Sequence, residues 1–193
     1  MVAPRLSHDG VSALARPAIV LLVCFSLLTG LAYPLVVHLI GQTLFPRQAN
    51  GTLVQARGQP VGSALIGQPF SGPAWFHGRP SATMAPYHAA ASSGSNLGPT
   101  NPALRDAIAA RAQAYGGGEV PIDLLTSSAS GLDPHVSPAA AYLQVERVAR
   151  ARGLDPGEVR RLVDRTIEAP TLGVLGEARV NVLRLNLALP GVK

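Results

Sequence analysis

Lysine is almost missing from this chain of 193 residues: fifteen of its sixteen basic residues are Arg, and the one Lys is Lys193 at the C-terminus. A phosphate-binding P-loop, a Schiff-base enzyme or a catalytic lysine network each needs an ordered Lys, so these classes are excluded. Cysteine occurs once, as Cys24, which excludes an internal disulfide and a thiolate metal site. Cys24 itself sits in an apolar run and reads as a small lipid-facing or helix-packing residue. Aromatics make up only 5% of the chain, too few to stack bases, and the net charge of +5 is spread over Arg residues that mostly fall in predicted helices. Nucleic acid is therefore a poor candidate partner. The strings G-x-x-x-x-G-K-[ST], G-x-G-x-x-G, H-E-x-x-H and G-x-S-x-G are all absent, which removes the familiar catalytic scaffolds. With 47% hydrophobic and 14% charged residues, the chain nevertheless has the composition of a folded protein, not a disordered one.

What is present is one long apolar stretch near the start. Residues 18–40, AIVLLVCFSLLTGLAYPLVVHLI, contain no Asp, Glu, Lys or Arg. As a helix they span about 35 Å, against a hydrocarbon core of about 30 Å. Arg5 and Arg16, the apolar run to Thr29 and the small pair Gly30 and Ala32 also fit a cleaved signal peptide, but the apolar stretch continues to Ile40, longer than a signal needs. An uncleaved anchor is the favoured reading. Pro34 is expected to kink the span, and Ser26, Gly30 and Tyr33 share one face that would pack against another membrane helix. The amino group, Arg5 and Arg16 precede the span while Arg47 and Arg57 follow it, a small bias placing residues 1–17 in the cytoplasm and residues 41–193 outside it. Membrane lipid is thus a partner from the outset. The residues after 40 suffice for one domain with its own core.

Beyond the anchor, 52–55 and 61–66 read as strands of a hairpin across ARGQP, and 75–77 as a third short strand. Residues 78–102 are dense in Gly, Pro, Ser, Thr and Asn and form a long loop. Asn101 caps a helix opened by Pro102 and closed by the glycines at 116–118; Leu104, Ile108, Ala112 and Tyr115 mark its core face, and Arg105 and Arg111 its wet side. Residues 122–126 lean to a strand. After a second polar loop, Ser137 and Pro138 open a helix running to Arg152, and Asp155, Pro156 and Glu158 open another carrying Val159, Leu162, Val163, Thr166 and Ile167 on one face, ended by Pro170. The tail RVNVLRLNLAL fits either a bulged strand or a helix capped by Asn181. The fold class is accordingly a single N-terminal transmembrane helix followed by one soluble mixed α/β domain of the α+β kind.

Candidate chemistry is sparse. Asp133, His135 and Ser137 supply the residue types of a triad, but residues two apart rarely reach triad geometry. His77, His88 and His135 have no ligand spacing, so no metal site is expected.

Five ordered segments carry more than composition: GSALIGQPF at 62–70, WFHGRPSA at 75–82, SSGSNLGPTNP at 92–102, TSSASGLDPHVSP at 126–138 and GEARVNVLRLNLAL at 176–189. Together with the anchor they resemble the C subunit family of the bacterial Kdp potassium-transporting ATPase, known as KdpC. The family's Ser-Gly-Gly-Ser-Asn reads Ser92-Ser93-Gly94-Ser95-Asn96 here, so Ser93 puts a Cβ at a position where a positive φ is expected. Trp75 stands where Tyr is usual, and Ala178 where Pro is usual.

The resemblance implies a non-catalytic subunit in the cell membrane, an assembly factor and catalytic chaperone that raises the pump's affinity for ATP. It implies three partners: a channel-like subunit that binds K⁺, a P-type subunit that hydrolyses ATP, and a small single-span subunit. ATP and K⁺ would be bound by those partners. Arg79, Ser95, Asn96, Asn101, Asp133 and His135 are the loop residues expected to contact partners or to brace the loops, the second role being as good a reading for each singly. An anchored extracytoplasmic hydrolase and a solute-binding module are the alternatives.

Overall fold

The computed structural model describes residues 8–192. Arg5, one of the charges before the span, lies outside them. The chain divides into two compact units, Met1–Asn50 and Gly51–Lys193.

The first unit is helical. Ala13–Leu44 is long and apolar enough to cross a membrane, with a mean hydropathy of 2.3 over its best window. It comprises α1 (His8–Leu27), a π-turn (Leu28–Ala32) and α2 (Tyr33–Leu44), followed by the short α3 (Pro46–Ala49). Pro34 has no N–H to donate, and the helix accommodates it by widening one turn immediately upstream, where the Tyr33 N–H reaches back five residues to the Leu28 carbonyl. Ser26, Gly30 and Tyr33 are all exposed, and a Cβ at Gly30 would meet nothing within 4 Å.

The second unit opens with the hairpin β1 (Leu53–Ala56) and β2 (Gln59–Ser63), joined by Arg57 and Gly58, both at positive φ, with a bulge between Val54 and Gln55. This is a two-residue turn, tighter than the five-residue spacer expected from sequence. Helices α4 (Pro102–Ala114), α6 (Pro138–Arg152) and α7 (Pro156–Thr166) start where their caps predict: Asn101, Ser137 and Asp155 each accept a hydrogen bond from a first-turn N–H. The core lies where α6 and α7 pack together under a three-stranded antiparallel sheet. That sheet is β3 (His135–Val136), β5 (Arg179–Asn181) and β4 (Ile167–Glu168), in that order, with Val180 at its buried centre. The tail resolves both of its readings: β5 runs straight into α8 (Val182–Ala188), capped by Asn181, which brings Val182, Leu185 and Leu189 to the core.

Four expectations are corrected. Residues 122–126 form a helical turn, α5 (Ile122–Leu125), because Leu124 and Leu125 are both buried, and neighbouring residues of a strand face opposite ways. Arg111 is not on the wet side of α4, since it is half-buried and donates to the Leu125 carbonyl at 2.6 Å. Helix α7 stops at Thr166, and Ile167 pairs with Val180 as strand.

The fourth correction concerns residues 75–77, which belong to no sheet, with Trp75 in a bend. Two buried carboxamides replace the missing neighbour strands. Asn186 accepts from the Phe76 N–H and donates to the Phe76 carbonyl, each at 2.9 Å. Gln144 does the same for His77, at 2.8 and 3.1 Å. Arg147 and Arg152 complete the set, donating to the carbonyls of Trp75 at 3.0 Å and Ala74 at 2.6 Å, and Arg152 also stacks 4.5 Å from the Trp75 ring centre. Deleting the Asn186 carboxamide strands two buried backbone groups. Asn186→Ala should therefore cost about 2–4 kcal/mol and lower the melting temperature of the full chain in detergent by about 5–10 °C. Asn101→Ala, at an exposed cap, should cost only about 1 kcal/mol.

Candidate loop and charge-ladder site

The two polar loops fold against each other. The Ser81 hydroxyl donates to the Gly131 carbonyl at 2.7 Å, and the Ser92 hydroxyl and the Ser93 N–H both donate to the Ser130 carbonyl, at 2.9 and 3.0 Å. Gly94 lies so close to the second loop that a Cβ there would stand 2.8 Å from the Ala129 carbonyl oxygen. The glycine of this motif that space demands is thus Gly94. Ser93 is not at positive φ, which is found instead at Asn96, 52°, so the Cβ on Ser93 costs nothing in backbone conformation.

Tyr87 is the wedge of the first loop. Its ring passes beside Gly67 and Gly78, where a Cβ on Gly78 would stand 2.5 Å from the phenol oxygen, and its hydroxyl donates to the Arg79 carbonyl at 2.6 Å. Burial, with the Asp133 charge adding to it, pushes this phenol up to about 12, so it stays a neutral donor. The backbone of Tyr87 pays with a φ of +60°.

Fixing Arg79 in this way places its guanidinium at the head of a ladder of ionisable side chains. Arg79 Nη1 lies 3.2 Å from Asp133 Oδ2. Asp133 Oδ1 accepts the His135 N–H at 3.0 Å and stands 3.6 Å from His135 Nδ1, inside ion-pair range but long for a hydrogen bond. His135 Nε2 is 4.0 Å from Glu168 Oε2, and Glu168 is held by Arg179 at 3.2 Å and Arg184 at 2.9 Å. Arg79, Asp133, His135 and Glu168 keep 25 to 29% of their side-chain surface exposed, so the ladder is half-sunk. The sheet builds it, because β5 pairs His135 with Asn181 and Glu168 with Arg179. Beside the ladder runs an open groove of about 500 Å³, lined among others by Arg79, Asp133, His135, Ile122, Glu177 and Arg179.

Of the six loop residues singled out from sequence, Arg79, Asp133 and His135 come together. Asn101 is a helix cap, through its 2.9 Å bond from the Ala103 N–H. Ser95 and Asn96 are exposed, and among the described residues neither side chain is hydrogen-bonded. Glu168, Arg179, Arg184 and Tyr87 belong to the arrangement without having been singled out. Ser137 spends its hydroxyl on Asp123 and on the Ala140 N–H, away from a triad. His77 bonds the Gly72 carbonyl at 2.8 Å, and burial holds its imidazole below the ordinary value. Among the described residues, no three His, Cys, Asp or Glu side chains group as a metal site.

Burial on its own would raise the Asp133 carboxyl. The His135 imidazole, the His135 backbone N–H and the Arg79 charge outweigh it and hold the group below 3.8. A depressed carboxyl contributes stability that is complete above its unfolded value, near 3.8, and is lost as pH falls through the folded one. Melting temperature followed downward from pH 6 should thus fall below pH 4, and Asp133→Asn should flatten that part of the profile. At neutral pH the variant should also lose about 1–2 kcal/mol, since it leaves Arg79 half-buried without its counter-charge.

Comparison with known proteins adds an independent line. The family described as "KdpC: K+-transporting ATPase, c chain" matches residues 15–190. A relative from Sorangium cellulosum (strain So ce56) is 58% identical over 185 residues, covering 92% of this chain and 97% of the relative. One from Polaromonas naphthalenivorans (strain CJ2) is 58% identical over 185 residues, covering 92% and 94%. One from Paraburkholderia xenovorans (strain LB400) is 57% identical over 187 residues, covering 93% and 97%. All three relatives carry the name potassium-transporting ATPase KdpC subunit.

Proposed function

The chain belongs to the KdpC family of K⁺-transporting ATPase subunits, and from that premise we propose that it is a non-catalytic accessory subunit that assembles the pump and promotes ATP binding by its hydrolysing partner. The observation that carries this reading is the extent of the match, which runs through the apolar helix and the folded unit together and so takes in both a membrane element and a docking domain. The charge ladder supports it. Its ionised groups are engaged with one another and with backbone, an arrangement that stiffens loops for contact and leaves no nucleophile beside a base. The partners are the K⁺-binding channel-like subunit, the P-type subunit and the small single-span subunit, and both K⁺ and ATP bind on them.

With the N-terminus cytoplasmic, the folded unit is extracytoplasmic and never meets ATP. Its effect on nucleotide affinity is then a coupling free energy, carried by the membrane helix through the face of Ser26, Gly30 and Tyr33 and the π-turn ahead of Pro34, and by contacts with the outer faces of the partners. Coupling energies of this kind are worth about 1–3 kcal/mol, a factor of about 5–150 in affinity.

Two measurements test the proposal. A cysteine placed at the exposed Ser93 in a Cys24→Ser background should be labelled by an impermeant maleimide from outside intact spheroplasts. Labelling only after lysis would overturn the orientation and favour direct nucleotide contact. ATP titrations of K⁺-stimulated hydrolysis should show weaker ATP affinity in complexes lacking this chain, and an unchanged midpoint would remove the chaperone role.

A further inference from the structure

Helix α4 is 13 residues long, and none of them is buried. Its inward face, Leu104, Ile108, Arg111 and Ala112, is only half-buried, whereas six of the 15 residues of α6 are buried. Burial stabilises in proportion to the apolar area taken from water, so α4 is held far more weakly than α6. Its polar ties are as sparse. Among the described residues, one hydrogen bond runs from residues 98–118 to the rest of the folded unit, the 2.6 Å bond from Arg111 Nη1 to the Leu125 carbonyl, and no ion pair does. The one side chain of this stretch that packs against the core is Tyr115, itself half-buried.

Both ends of the stretch are free to turn. A Cβ at Gly98, Gly116, Gly117 or Gly118 would meet nothing within 4 Å. Gly116 and Gly117 take φ values of +93° and +72°, so the chain leaves α4 through two residues that only glycine adopts without strain. Beyond them the chain is held again. Val120 packs on the core, Leu124 and Leu125 are buried, and Asp123 accepts the Ser137 N–H at 2.6 Å. A helix of this length is marginal in water even when rich in alanine, so α4 released from its neighbours would fray.

We infer that residues 101–115 undock and redock as one unit, hinged at Gly98 and at residues 116–118 and latched by Arg111, while α5, α6 and α7 stay folded. Elements with few buried contacts open at a free energy well below that of the whole fold. A ligand or partner that prefers one of the two positions would therefore move α4 without unfolding the domain. The inference concerns this chain by itself and stands apart from its reading as a pump subunit.

Hydrogen–deuterium exchange of the full chain in detergent, resolved to peptides, tests it. Amides of residues 105–115 should exchange at least about a hundredfold faster than those of residues 141–152 in α6. Arg111→Met keeps an unbranched side chain and a strong helix preference but removes the donor. It should speed exchange in 105–115 about tenfold while leaving exchange in 141–152 and the melting temperature unchanged. Arg111→Lys, which can still donate, should recover part of the protection. Exchange in 105–115 as slow as in α6 overturns the inference. So does a fall in melting temperature or faster exchange in α6 with Arg111→Met, because α4 would then belong to the same cooperative unit as the core.

Discussion

Two buried carboxamides, on Asn186 and Gln144, hold the folded unit together at its most improbable point. A segment crossing a protein interior must satisfy its peptide groups, and it ordinarily does so within a helix or a sheet. Here residues 76 and 77 are satisfied by side chains from α8 and α6. Each carboxamide has a donor and an acceptor in fixed relation, so it can bond one residue's N–H and C=O together and imitate the edge of a strand. Gln144 donates in addition to the Ala140 carbonyl, which anchors it in its own helix, and accepts from Arg147 at 2.6 Å. The consequence is positional. Once residues 76 and 77 are clamped, Gly78 and Arg79 follow with little freedom, and the Tyr87 hydroxyl fixes the Arg79 carbonyl from the other side. The charge ladder therefore begins from a backbone that is already in place.

The parts of this fold that were legible in the sequence are those encoded by neighbours. Asn101, Ser137 and Asp155, each followed by Pro, announced three helix starts because capping depends on residues within one turn. The hairpin was announced by the Gly between two β-like runs. What escaped depends on residues far apart in the chain. Residues 75–77 have strand-like composition, and only the partners at 144 and 186 reveal why no strand pairs with them. Leu124 and Leu125 suit a strand by composition, and only the burial of both neighbours reveals the helical turn. Arg111 reads as a water-facing residue because Arg usually is one, yet its guanidinium reaches the Leu125 carbonyl. Asp133, Arg79 and His135 were recognisable as polar residues in odd loops. Glu168 was not, because nothing near it in sequence shows that β4 would set it opposite Arg179.

The ladder itself is a poor source of stability and a good source of definition. Ion pairs exposed to this degree contribute little singly, because water screens them and ordering long side chains costs entropy. Running Arg79, Asp133, His135, Glu168 and then the pair Arg179 and Arg184 in series gives each carboxylate an Arg partner, so disturbing one member alters the surroundings of the next. Loop tips that would otherwise sample many conformations are drawn to one, and two glycine-bound contacts, at Gly78 and Gly94, leave no room for a second. Such a surface enters an interface with its ordering entropy already spent, which is what lets modest contact areas bind well.

The same accounting explains where the molecule is not self-satisfied. In the folded unit Arg79, Asp133 and Arg179 beside the groove are matched internally, while among the described residues Glu177 has no ion-pair partner and Leu172 stands exposed. In the apolar helix the corresponding irregularity is the π-turn before Pro34, a place where the regular ladder of hydrogen bonds gives way. Both irregularities persist within a well-formed helix and a well-packed domain, so neither is a failure of folding. A protein that acted alone would gain by repairing them, with a polar residue for Leu172 and any non-proline for Pro34. Each is intelligible if it meets a complementary surface on a neighbour.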